Sequence, residues 1–220
     1  MIKHILFDLD GTLADTALDL AYALNVVREW KELPEIPIDL IRPTVSLGAN
    51  VMIKLGFNLE VDQLGFDEIK KKFLDVYAKN IARETKLFDG MADVLNRLED
   101  EKKIWGIVTN KSTSLTMPLL KELSLDDRAS CIVCGDTVEH NKPHPAPVIH
   151  ACKLIEANPA STVFVGDAKR DVESGSRAGT KTLIALYGYI ENTADPKSWG
   201  ADGMVSTPHD LHEKLREIGK

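Results

Sequence analysis

Short, nearly continuous apolar runs recur along this chain, each separated from the next by a longer stretch with helical spacing, and that alternation leaves few folds open. The runs lie at 2–9, 104–109, 131–134, 162–166 and 182–186, with a weaker one at 204–205. Between them, 91–101, 115–123, 146–157, 171–178 and 210–218 place apolar residues at helical intervals. Runs without polar alternation suit parallel strands covered on both faces. Strand and helix in strict succession predict an α/β fold built on a doubly wound parallel sheet.

One interval breaks the alternation. Between 16 and 86 there is no convincing strand, only helical segments at 18–30, 49–55 and 66–83, punctuated by Pro34, Pro37 and Pro43. This is too long for a single crossover, so it reads as a helical insertion. The expected division is a core of residues 1–15 and 87–220 interrupted by a helical domain at 16–86.

Composition narrows the function classes. The 220 residues carry 27 Lys and Arg against 34 Asp and Glu, a net charge of -7. Such a chain lacks the bulk positive charge of a sequence-independent nucleic-acid binder. Any anionic ligand must be met by a local device: a metal, a helix N-terminus or a placed lysine. No apolar run approaches the roughly 20 residues of a membrane span, and the N-terminus turns acidic at Asp8 without the pattern of a signal peptide. A cytoplasmic protein is expected, a monomer or homodimer with no nucleic-acid or membrane partner. Three cysteines are no disulfide framework. Cys131 and Cys134 form a C-x-x-C, but on a short apolar strand rather than at a helix start, so buried structural thiols are expected.

In open parallel sheets ligands bind beyond the carboxyl ends of the strands. There the sequence places Asp8-Leu9-Asp10-Gly11-Thr12, then Thr109-Asn110-Lys111, then Gly166-Asp167 with Asp171 four residues on, while the third run leads through a loop to Asn141-Lys142-Pro143. Crowded carboxylates are hard to keep ionised together without a cation. Mg²⁺ suits them, being commonly held by one or two carboxylates, waters and a substrate phosphate. Metal and lysine together would neutralise a phosphoryl group, and an aspartate is a known nucleophile towards one. The histidines do not make a zinc site: Pro143 and Pro145 prevent the helix that would align His140 with His144.

Phe7-Asp8-Leu9-Asp10-Gly11-Thr12-Leu13, Val108-Thr109-Asn110-Lys111, Asn141-Lys142-Pro143-His144-Pro145 and Phe164-Val165-Gly166-Asp167 with Asp171 resemble the four motifs of the haloacid dehalogenase (HAD) superfamily. Within it the chain is similar to phosphoglycolate-phosphatase-like enzymes, which insert a helical cap after the first motif. Lys86-Leu87-Phe88-Asp89-Gly90-Met91, Trp105-Gly106-Ile107-Val108, Tyr187-Gly188-Tyr189-Ile190 and the segment from Pro196 to Asp202 resemble the bacterial N-acetylmuramic acid 6-phosphate phosphatases.

The resemblance implies a Mg²⁺-dependent phosphomonoesterase acting through an aspartyl phosphate on a small phosphorylated acid or sugar acid. It makes Asp8 the nucleophile and Asp10 the group that protonates the leaving oxygen and then deprotonates water. Thr109 and Asn110 would bind phosphoryl oxygens, and Lys142 would position Asp8 and the phosphate. Asp8, the Asp10 carbonyl and Asp167 would hold the metal, with Asp171 in support. Ala168 stands where serine or threonine is common, which puts one supporting hydrogen bond in doubt. In the cap, Arg42 and Ser46 are the candidates for a substrate's second anionic group, and Tyr187 and Tyr189 either rim the site or pack in the core. Competing expectations are a sugar-phosphate mutase of the same superfamily and a receiver-like phospho-aspartate switch. Receivers place the phosphoacceptor after an interior strand and lack an insertion of this length.

Overall fold

A computed structural model describes residues 2–219. Its main sheet has six strands: β1 (His4–Phe7), β4 (Ile104–Val108), β5 (Ile132–Val133), β6 (Thr162–Gly166), β7 (Lys181–Ala185) and β8 (Gly203–Val205). They are all parallel, in the order β5-β4-β1-β6-β7-β8. The first strand therefore sits inside the sheet, with His4 to Phe7 in register with Ile104 to Ile107 on one side and Thr162 to Val165 on the other. Chain order reverses on either side of β1, so loops from both halves converge where β1 ends.

The continuous apolar character of β1 has the expected cause. Ile5 and Phe7 pack into the larger core, while Leu6 joins a smaller cluster with Val108, Val133, Val148 and Phe164 on the other face. Alternate residues thus feed two cores. The covering helices are α5 (Met91–Asp100), α6 (Thr113–Glu122), α7 (Ala146–Leu154), α8 (Lys169–Ala178) and α9 (Leu211–Ile218).

Between the sheet's first strand and α5 lie a two-stranded antiparallel ribbon, β2 (Ala14–Asp15) with β3 (Lys86–Leu87), and the helices it brackets: α1 (Ala17–Trp30), α2 (Ile38–Ile41), α3 (Ala49–Phe57) and α4 (Phe66–Lys79). A 3₁₀ segment, Arg42–Leu47, joins α2 to α3. Leu20, Leu24 and Val27 of α1, Met52 and Ile53 of α3, and Ile69, Phe73 and Tyr77 of α4 are buried. No helix among the described residues is long and apolar enough to cross a membrane.

Several elements end differently from the apolar runs that announce them. β1 stops at Phe7, because beyond Asp8 the chain turns out of the sheet; the Asp8 amide makes one last ladder bond to the Val165 carbonyl, 2.9 Å. The helix read at 66–83 ends at Lys79, where Asn80 turns its side-chain amide back onto the Val76 carbonyl. The ribbon was not anticipated, since two residues per strand carry no periodicity. The C-x-x-C falls around the short β5, and Cys131, Cys134 and Cys152 are all buried free thiols.

Candidate active site

Because the strands are parallel, Asp8, Thr109 and Asp167 leave the sheet at one edge, directly after β1, β4 and β6. Lys142 reaches the same point from the loop between β5 and α7. Its ammonium lies 2.9 Å from Asp8 Oδ1 and 2.8 Å from Asp171 Oδ1, and donates to the Val108 carbonyl at 2.8 Å. All three side chains are almost wholly buried. Burial pushes the Asp8 carboxyl up, and Lys142 pulls against that shift without cancelling it.

Asn110 clamps this lysine. Its Nδ2 donates to the Lys142 carbonyl and its Oδ1 accepts from the Lys142 amide, each at 3.0 Å. The side chain expected on phosphoryl oxygens is thus turned to the Lys142 backbone, although Asn110 does line the cavity beside the site. Thr109 is buried at the cavity wall, and its Oγ1 accepts from the Lys111 amide at 3.1 Å.

Oxygens of Asp8, Asp167 and Asp171 lie within 4.8 Å of one another. The Asp167 carboxyl is pushed up to about 7 by burial and by the charges of Asp8 and Asp171. Three buried carboxylates this close fit a hard divalent cation. The backbone is shaped to spare the place: Gly11 has φ +82°, and a Cβ there would stand 2.1 Å from Asp167 Oδ2. Asp167 is oriented by Thr12 Oγ1 at 3.3 Å, the Tyr189 amide at 2.8 Å and Ser46 Oγ at 2.6 Å. The Ala168 side chain has no hydroxyl to give, yet its amide still donates to Asp171 Oδ2 at 3.0 Å.

Asp10 is held apart from this cluster. It accepts from Thr16 Oγ1 at 2.7 Å and pairs with Lys111 Nζ at 2.8 Å. Burial alone would raise its carboxyl; Lys111 outweighs that, and the carboxyl lies below its usual range. Tyr77 of α4 covers the lysine, its ring centroid 4.7 Å from Nζ.

A cavity of about 340 Å³ opens between these residues and the helical insert. Asp8, Asp10 and Thr109 form its floor, and α4 contributes Lys70, Phe73, Leu74 and Tyr77, one face of that helix. Ser46 lines the cavity while donating to Asp167, with the Asp10 carbonyl at 3.4 Å. Arg42 is not among the lining residues. Its guanidinium pairs with both Asp15 oxygens at 3.0 Å, and Tyr189 Oη donates to the same carboxylate at 2.7 Å. Tyr187 Oη donates to the Thr12 carbonyl, so both tyrosines brace the β1 exit. Lys111, Tyr77 and Lys70 were not assigned roles from sequence. Lys111 carried a signal in its place directly after Thr109-Asn110; the other two lie far from any motif.

Residues 5–185 match the model of the haloacid dehalogenase-like hydrolase family. The chain belongs to that family. It is 40% identical over 214 residues to an N-acetylmuramic acid 6-phosphate phosphatase of Pseudomonas putida, covering 97% of this chain and 96% of the relative. It is 37% identical over 211 residues to a phosphoglycolate phosphatase of Xanthomonas campestris, covering 96% and 95%. A crystal structure described as a predicted phosphoglycolate phosphatase of Haemophilus somnus superposes with a TM-score of 0.87 at 27% identity, covering 97% of each chain. This HAD hydrolase is accordingly a phosphatase.

Proposed function

We propose that this HAD phosphatase is a Mg²⁺-dependent phosphomonoesterase that works through an aspartyl phosphate, and that residues 16–86 form a cap over a core of residues 1–15 and 87–220. The observation that carries the reading is Lys142, buried between Asp8 and Asp171 at the end of the central strand. It keeps a buried carboxylate aimed and available as a nucleophile. A metal held by Asp8, the Asp10 carbonyl and Asp167 would neutralise charge on the phosphoryl group.

Asp8 Oδ attacks phosphorus while the ester P–O bond breaks, and Asp10 delivers a proton to the departing oxygen. Water then attacks the phosphorus, Asp10 takes its proton, and Asp8 and inorganic phosphate are released. Lys111 keeps Asp10 ionised in the free protein, so the first proton has to arrive with the substrate. A phosphomonoester, whose second ionisation lies near pH 6, carries one in its monoanionic form.

For the substrate we favour a phosphorylated sugar acid such as N-acetylmuramic acid 6-phosphate over 2-phosphoglycolate. A two-carbon ester would leave most of a cavity of about 340 Å³, walled by Met52, Phe73 and Leu74, to water. Phosphate release from the two esters compared side by side tests this choice, and equal turnover would return the assignment to a general phosphatase. Asp8→Asn tests the chemistry. Its turnover of an aryl phosphate should drop by several orders of magnitude with the melt preserved, and substantial residual turnover would remove Asp8 as nucleophile.

A further inference from the structure

Arg170 and Lys70 are the basic residues lining this cavity that the chemistry above leaves unused, and Arg170 is the one that stands at the sheet edge beside the carboxylates. It is the second residue of α8, directly before Asp171, and lines the cavity alongside Asp8 and Asp10. It also lines a smaller cavity on the far side of Ser46 and Leu47, so its side chain sits where the sheet edge meets the insert.

Its surroundings set it apart from the other cations. Lys142 is spent on Asp8 and Asp171, Lys111 on Asp10, and Arg42 on Asp15. Arg170 enters no ion pair among the described residues, and its buried Nε has no hydrogen-bond partner there. Burial opposes its charge, but the field of Asp171, Asp8, Asp167 and Asp10 more than compensates. A guanidinium has five donors in a fixed fork that matches oxyanions, and leaving buried donors unpaired is costly. No carboxylate among the described residues pairs with the guanidinium, and its buried Nε is left without a partner.

We propose that Arg170 is a substrate-binding residue whose guanidinium takes an oxyanion of the bound phosphomonoester in the cavity between sheet edge and insert. The proposal rests on the phosphatase reading for the identity of the ligand. Two oxyanions of such a substrate qualify, the phosphoryl group and the carboxylate of a phosphorylated acid, and both present the paired oxygens that an arginine fork recognises.

The test separates them and does not depend on turnover. Isothermal titration calorimetry in Mg²⁺ buffer would compare wild-type protein, Arg170→Gln and Arg170→Lys with three probes: inorganic phosphate, propylphosphonate, and 3-phosphonopropionate, which adds a carboxylate and cannot be hydrolysed. Losing a charged, hydrogen-bonded contact should weaken binding by roughly 10- to 100-fold in Arg170→Gln, with part of that recovered in Arg170→Lys. Weakening of all three probes assigns the phosphoryl group; weakening of 3-phosphonopropionate alone assigns the carboxylate. Unchanged affinities for all three would overturn the proposal. So would a lowered melting temperature with unchanged affinities, since that marks a structural role alone. Wild-type protein that binds these probes yet hydrolyses no phosphomonoester would defeat the phosphatase reading and leave Arg170 to be judged by the same affinities.

Discussion

Lys111 Nζ stands 2.8 Å from Asp10 Oδ1, with the Tyr77 ring of the helical insert against its other side. Asp10 at the sheet edge is thus tied through one lysine to α4, sixty-odd residues away in sequence. Lys111→Met should strand a largely buried carboxylate and cost about 3 kcal/mol at pH 7. The sign of its pH dependence follows from Asp10. With Lys111 present the carboxyl is depressed, so the pair's contribution is fully present at neutral pH and is lost only as pH falls through that lowered value. Without Lys111, burial acts unopposed by its main partner, the folded-state pKa rises above the unfolded one, and the variant regains stability on acidification. Urea unfolding at pH 7 and pH 5.5 should therefore show a deficit that narrows at the lower pH; a constant deficit would mean that Lys111 contributes packing alone.

Lys142 carries a heavier burden, since one ammonium serves two buried carboxylates. Lys142→Met leaves Asp8 and Asp171 facing each other unpaired, and the expected loss is about 3–5 kcal/mol together with loss of turnover. Asn110→Ala separates the two roles. It frees the Lys142 backbone without removing the charge, so denaturant unfolding should register a smaller loss, near 1–3 kcal/mol for the unpaired amide and carbonyl. Phosphate release should still fall steeply, because the ammonium is no longer held in place. A full-strength turnover rate in Asn110→Ala would show that Lys142 positions itself.

The thiols give a prediction of the opposite kind. Burial pushes the Cys131 thiol up to about 12 and raises Cys152 as well, and the thiolate is the reactive form. At pH 8 the folded protein should resist iodoacetamide for hours, and all three cysteines should react once it is unfolded in guanidinium. Rapid alkylation of Cys131 and Cys134 in the folded state would instead mark the C-x-x-C as a reactive, redox-type thiol pair.

Asp8, Thr109 and Asp167 were legible because each directly follows a strand whose apolar run is plain, and parallel strands bring such residues to one edge whatever the details of packing. Lys142 was legible only as part of the four-motif pattern, since the loop that carries it has no periodicity. What the insert does to the site was not legible. Arg42 looked free to meet an anion, but Asp15, on the two-residue strand β2, claims it. Asn110 looked like a ligand for phosphoryl oxygens, yet its amide closes on the Lys142 backbone. Tyr77 reads in sequence as one more apolar position of α4, and its place over Lys111 depends on how that helix packs above the sheet edge. Pairings between segments so distant are set by tertiary geometry, and no local pattern encodes them.

Gly188 offers a way to disturb the cluster of Asp8, Asp167 and Asp171 without touching a carboxylate. A Cβ there would stand 2.2 Å from the Gly11 carbonyl oxygen and 2.3 Å from Asp167 Cβ, so Gly188→Ala must displace Asp167 or the turn that faces it. In the wild-type protein a ligand that binds only the folded state raises stability with concentration, by about 2.7 kcal/mol at a hundredfold excess over its Kd. Mg²⁺ should accordingly raise the melting temperature, and EDTA should reverse the rise and abolish phosphate release. Gly188→Ala should fold with a lower melting temperature and show little response to Mg²⁺, matching Asp167→Asn in that respect. If Asp167→Asn instead kept the full Mg²⁺ response, the cation would be bound away from Asp167, and the cluster of Asp8, Asp167 and Asp171 would be a charge arrangement held by Lys142 alone; a full response in Gly188→Ala alone would mean that the turn, not Asp167, gave way.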